Sequence, residues 1–166
     1  MIPYARPDLD YLGGNCFRSL GRICCGCEIT IGRLASRRME AVMNDVNALV
    51  QRYFTIWNET DAGRRRDLIA QTWADDATYI DPMMRGDGQD GIDTMIQGVQ
   101  NSFVGHQFRQ IGAVDAHNSH LRFAWELAPA GGPVLVAGTD FAVVTDDNRL
   151  QTVIGFLDLA PAAMLE

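Results

Sequence analysis

The sequence predicts an α+β domain, with N-terminal helices wrapping a curved, antiparallel-rich sheet into a cone around an apolar pocket. Two observations predict it. Apolar residues recur at three and four residue steps up to about Gly105, and at every second residue after it. Helices first and a run of long strands afterwards place the helices over one face of the sheet.

The first helix carries Val46, Leu49, Val50, Tyr53, Ile56 and Trp57 on one stripe. Asn44 or Asp45 can cap its start, and Asp61-Ala62-Gly63 can end it. Asp67 to Trp73 reads as a short second helix. Ala77 to Asp81 is extended and stops at Pro82, which disfavours helix at the residue before it. Gly86, Gly88 and Gly91 mark a loop, and Ile92, Met95, Ile96, Val99 and Phe103 form the stripe of a third helix. Four strands follow, at Gln107 to His117, around Leu121-Phe123-Trp125-Leu127, at Val134 to Thr145 and at Leu150 to Asp158. Thr145-Asp146-Asp147-Asn148 is a turn between the last two.

Residues 1–39 differ from the rest. Six arginines against Asp8, Asp10 and Glu28 make this segment +3, so the stated −7 leaves −10 for the remainder. An acidic body argues against a nucleic-acid partner, because phosphate binding needs clustered cations. The segment has neither helical period nor strand alternation and is read as a flexible extension or an over-long gene start, with 40–166 as the folded domain. All four cysteines lie in it, and adjacent Cys24 and Cys25 with a solitary Cys16 and Cys27 spaced by Gly26 fit a zinc site poorly. No metal is expected. No apolar run approaches the ~20 residues of a membrane span, and the start lacks a signal-peptide pattern. A cytoplasmic protein with no membrane partner is the expectation.

Three stretches then carry a resemblance. Leu49-Val50-Gln51-Arg52-Tyr53, Ala74-Asp75-Asp76-Ala77-Thr78-Tyr79-Ile80-Asp81-Pro82 and Val136-Ala137-Gly138-Thr139-Asp140 resemble the ketosteroid isomerases of the nuclear-transport-factor-2-like superfamily. Phe103 to Phe108, Val114 to His117 and Arg122 to Glu126 resemble the SnoaL-like branch, whose characterised enzymes are polyketide cyclases working by aldol chemistry. The resemblance spans about Met43 to Asp158. It implies that Tyr53 and a protonated Asp140 form an oxyanion hole and that Asp81 shuttles the proton. It also implies a homodimer and a small hydrophobic ligand, with no cofactor.

The residues themselves support parts of this. Tyr53 lies on the buried stripe, so its hydroxyl needs a partner. Asp140 alternates with Val136, Ala142 and Val144, so its carboxyl either pairs, faces a polar pocket or stays protonated. Asp81 ends a strand before Pro82, where it can act as a general base or make an Asp-Pro turn. Secondary candidates are His106 at a helix exit, Asp115 and His117 on one strand face as a pair, and Trp57, Trp125 and Phe156 as pocket wall. Arg122 and Glu126, four apart on one strand, read as an ion pair. The expected function is an isomerase or cyclase acting on an apolar carbonyl compound, of steroid or polyketide type, through an enolate; the alternative is a non-catalytic ligand-binding or dimerisation module.

Overall fold

The structure is a computed structural model, and it describes residues 45–164. The readings of residues 1–39, the cysteine cluster included, lie outside the described residues. Helix α1 (45–58) is followed by α2 (Ala62–Thr72), β1 (Trp73–Ile80), β2 (Arg85–Asp87), α3 (Gly88–Ser102), β3 (His106–His117), β4 (His120–Pro129), β5 (Val136–Val144), β6 (Leu150–Leu159) and a 3-10 turn at Ala162–Met164. The six strands form one sheet in the order β2-β1-β6-β5-β4-β3. Every pairing is antiparallel except β1 with β6. Among the described residues no helix is long and apolar enough to cross a membrane.

The core is the α1 stripe laid against the concave sheet face. Leu49, Val50, Tyr53, Phe54, Ile56 and Trp57 are buried, as are Phe123, Trp125, Ala142 and Val153 from the strands. Phe123 meets Tyr53 and Phe54 edge to face, at centroid separations of 5.1 and 5.6 Å. The sheet bends where its register shifts, between Ile111 and Asp115 on β3 and between Val143 and Val144 on β5. Gly112, with φ 69°, takes the positive dihedral inside the first of these bulges. Gly138 serves a different need, since a Cβ there would sit 2.5 Å from the Phe156 carbonyl and 2.6 Å from the Trp125 ring. Its bare backbone lets the Trp125 indole lie flat over β5.

Several local expectations change. Asp61 does not end α1; it caps α2, accepting the Arg64 N–H at 2.8 Å, so α2 starts at Ala62 and is longer than expected. Trp73 opens β1 rather than closing a helix. The glycine loop contains the short strand β2, which pairs with Thr78, Tyr79 and Ile80. Arg122 and Glu126 do not pair, because residues four apart along a strand are separated by about 13 Å. Each instead meets its cross-strand neighbour: Arg122 bridges Asp115 at 3.0 Å and Arg109 bridges Glu126 at 2.9 Å.

One buried ion pair ties the two outer helices. Arg65 on α2 is 1% exposed and its Nε donates to Asp93 of α3 at 2.6 Å, with further bonds to Gln100 and the Glu59 carbonyl. Removing one partner leaves a desolvated charge, which costs far more than an exposed pair would. Asp93→Ala is therefore expected to lower unfolding free energy by about 3 kcal/mol in urea titration, whereas Asp87→Ala, which breaks the exposed pair with Arg85, is expected to change it by less than about 1 kcal/mol.

Candidate active site

The cone encloses a cavity of about 60 Å³ whose wall is overwhelmingly apolar. Tyr53, Phe54 and Trp57 reach it from α1, Phe108 and Trp125 from the long strands, and Met83, Met84, Phe103 and Met164 also line it. Polar groups cluster on one part of this wall. Asp140 of β5, 1% exposed, lies behind it and accepts two hydrogen bonds: Tyr53 Oη donates to Oδ2 at 2.5 Å and Trp125 Nε1 donates to Oδ1 at 2.8 Å. Both carboxylate oxygens are thus engaged by donors from separate elements.

Asp81 stands just beyond the end of β1. Its Oδ1 accepts the backbone N–H groups of Met83 and Met84 at 2.7 and 2.8 Å, and its Oδ2 accepts from Tyr79 Oη at 3.1 Å. Its backbone N–H donates to the Met84 carbonyl at 3.0 Å. The carboxylate closes the turn at Pro82, and Asp81 is also among the residues that line the cavity.

Gly155 of β6, paired with Asp140 in the ladder, is where these groups converge. A Cβ at Gly155 would lie 3.0 Å from Tyr79 Oη, 3.1 Å from Asp140 Oδ1 and 3.1 Å from the Asp81 Cβ. The space that any side chain would fill there separates the Asp81–Tyr79 pair from the Asp140 carboxylate.

The structure brings Tyr53, Asp81, Asp140, Trp57 and Trp125 to this place, and leaves the other candidates elsewhere. His106 packs against Phe103 at 5.9 Å with Nδ1 3.3 Å from the Val104 carbonyl, off the cavity wall. Asp115 is taken by Arg122, so it makes no pair with His117. His117 stacks on His120 at 5.8 Å across the β3–β4 hairpin, beside a separate polar cleft. Phe156 is 57% exposed because alternation along β6 turns it to the outer sheet face. Tyr79 and Gly155 are the site residues that sequence reasoning missed. Tyr79 was reachable, being two residues before Asp81 on the same strand face. No local pattern singles out Gly155.

The profile of the SnoaL-like domain matches residues 50–151 of the chain. The chain belongs to the SnoaL-like family. Among solved structures it is similar to a proposed isomerase of this family from Agrobacterium tumefaciens, at 38% identity and TM-score 0.68, over 70% of this chain and all of that one. More distant structures share the fold: a proposed SnoaL-like polyketide cyclase from Jannaschia, at 15% identity and TM-score 0.57 over 70% of this chain and 87% of that one, and a nuclear-transport-factor-2-like protein of unknown function from Exiguobacterium, at 22% identity and TM-score 0.54 over 66% and 98%. No curated protein matches the chain. Among the described residues of this SnoaL-like protein, no three His, Cys, Asp or Glu side chains gather as metal ligands would.

The electrostatics of the SnoaL-like site follow from burial. Removal from water pushes the Asp140 carboxyl up to about 6, against the pull of the Tyr53 and Trp125 hydrogen bonds, with the Asp81 charge adding to the rise. Burial, and then the Asp140 charge, hold the Tyr53 and Tyr79 phenols above their ordinary range. Both phenols stay protonated and act as donors.

A raised carboxyl pKa has a defined sign in stability. Below about pH 4 the group is protonated in both states; between there and about pH 6 the unfolded chain releases its proton while the folded one keeps it, so stability falls as pH rises. The loss is on the order of 3 kcal/mol for a shift of about two units. Urea midpoints of the wild type and Asp140→Asn, compared across that window, are expected to diverge, with the fall absent from the variant. Parallel curves would mean that Asp140 titrates as it does in water.

Proposed function

We propose that this SnoaL-like protein is an isomerase or cyclase that removes a proton alpha to the carbonyl of an apolar substrate. The observation that carries this reading is the placement of Asp81, Tyr79 and Tyr53 along one part of an otherwise apolar cavity, with Asp140 hydrogen-bonded to Tyr53 behind it. Asp81 takes the alpha proton, and the C–H electron pair moves into the C–C bond as the carbonyl becomes an enolate. Its two backbone donors and Tyr79 hold the carboxylate in place, so little reorganisation accompanies the transfer.

The developing oxygen charge is met by the Tyr53–Asp140 pair. When Asp140 carries a proton it can donate to Tyr53 Oη, which frees the phenol proton for the substrate oxygen, and one such donor in a dry site supplies about 3 kcal/mol to the transition state. Return of the proton from Asp81 to a second carbon completes a double-bond shift. Attack of the enolate carbon on a second carbonyl, with the proton passing to the new alkoxide, completes a ring closure. The cavity is narrow for a polycycle, and the unbranched side chains of Met83, Met84 and Met164 in its wall can re-pack to admit one.

The test is turnover of a 5-ene-3-ketosteroid, followed by the ultraviolet absorbance of the conjugated product. Asp81→Asn is expected to lower kcat by at least about 100-fold, and unchanged turnover would remove Asp81 as the base. A ketone that binds without conversion by the wild type would favour a non-catalytic carrier of the same ligands.

A homodimer is part of the proposal. Ile80, Ile154 and Phe141 lie side by side across β1, β6 and β5 on the outer sheet face, with Phe156 beside them, and each is at least 36% exposed. A contiguous apolar row of this kind suits burial against a second copy. Sedimentation velocity at micromolar concentration is expected to show a dimer for the wild type and a monomer for Phe156→Asp; a wild-type monomer would overturn it.

A further inference from the structure

The cavity alone is small for the compounds proposed above. It holds about 60 Å³, whereas pockets that enclose a drug-sized ligand run to about 300–1,000 Å³. The missing space lies beside it. Among the described residues, an open and largely apolar groove of about 740 Å³ runs along α3, between that helix and the segment from Met83 to Arg85. Met83, Met84, Val99 and Phe103 line both the groove and the cavity, so one layer of side chains separates the two.

The groove is built before any ligand arrives. Gly86 of β2 packs backbone to backbone on α3, where a Cβ would lie 3.1 Å from Ile92 Cα. The turn before β2 is closed by the Asp81 N–H, which donates to the Met84 carbonyl at 3.0 Å, and by the Asp81 carboxylate, which holds the N–H groups of Met83 and Met84. On the helix side Gly98 leaves open space, since a Cβ there would meet nothing within 4 Å. The walls ask for few hydrogen bonds. Thr94 and Ser102 line the groove, yet their hydroxyls donate to the carbonyls four residues back, of Asp90 at 2.9 Å and of Gly98 at 3.0 Å. The charged residues on it are Arg85, which Asp87 takes through three hydrogen bonds, and the exposed Asp90 of the first α3 turn. Met83, Met84 and Met95 supply unbranched side chains that re-pack around an apolar guest.

We propose that this groove is a second subsite, holding the alkyl chain of a ketone whose carbonyl end occupies the inner cavity. The chain passes between Met83, Met84 and Phe103, over the turn that Asp81 closes, so the carbon beside the carbonyl stays near that carboxylate. The carbonyl end rests on the function proposed above. The groove adds a feature of the substrate, an unbranched apolar tail that reaches out of the cavity.

Two probes read the subsites separately: 2-butanone and 2-undecanone, which share the carbonyl end and differ by seven methylenes. Met164 lines the cavity and not the groove, and Met95 the reverse. With ¹³C-methyl-labelled methionine in the full chain, the Met164 signal is expected to move with both ketones and the Met95 signal with 2-undecanone alone. Equal responses of Met95 to both, no response to either, or a response without Met164 would overturn the proposal. Gly98→Trp fills the groove from an open helix position, and is expected to weaken 2-undecanone about tenfold in titrations followed at Met164 while 2-butanone binding stays the same. Unchanged 2-undecanone affinity would sink the subsite, and so would a dimer that becomes a monomer in this variant, which would give the groove to a second copy. Exchange of the ketone's alpha protons in deuterated water separates the two proposals. Exchange that Asp81→Asn abolishes, with Met95 silent, sinks this inference alone; a responsive Met95 without exchange sinks the reaction and leaves the groove as a binding site.

Discussion

The arrangement depends on a carboxylate that the fold has taken out of water. Asp140 projects from the middle of β5 into the concave face, and its burial is tolerable because α1 delivers a phenol and β4 an indole N–H to its two oxygens. The helix must cross the sheet at a set height and angle for Tyr53 to arrive, and Gly138 must lack a side chain for Trp125 to lie across the strand. Packing and chemistry are therefore one constraint here. The aromatic contacts of Tyr53 with Phe54, Trp57, Trp73 and Phe123 fill the core and also hold the phenol on its acceptor.

Much of this was readable in the chain because it is carried by period. A stripe at helical spacing puts Tyr53 inside, and alternation along β5 puts Asp140 inside, without reference to anything distant. The same arithmetic along β6 should have placed Phe156 outside, opposite Gly155 and Val153. What periodicity could not supply was pairing between strands. Asp115 with Arg122 and Arg109 with Glu126 are neighbours only once the β3–β4 register is known, and that register includes a bulge at Gly112 with no unambiguous local mark. The Asp115–His117 and Arg122–Glu126 pairs were both inferred along a strand, and in both the cross-strand partner won.

Helix limits show the same divide. Asp61 was read as part of the end of one helix, and it begins the next instead because its side chain satisfies an N–H of α2 that would otherwise lack a partner. Gly155 illustrates the opposite limit. Its importance comes from three groups on two other segments, the end of β1 and the middle of β5, so a glycine in a strand of alternating residues carries no sign of it.

The parallel pairing of β1 with β6 has a consequence for biosynthesis. Asp81 follows β1, while β6, the strand that pairs with β1 on the side away from β2, is made only after β2 to β5. A nascent chain that has just emitted β5 still has β1 open along one edge, a surface prone to mispairing with other growing chains. The pocket is thus closed only once β6 has been made, and chaperone dependence should concentrate in the interval before Leu150 to Leu159 clears the exit tunnel.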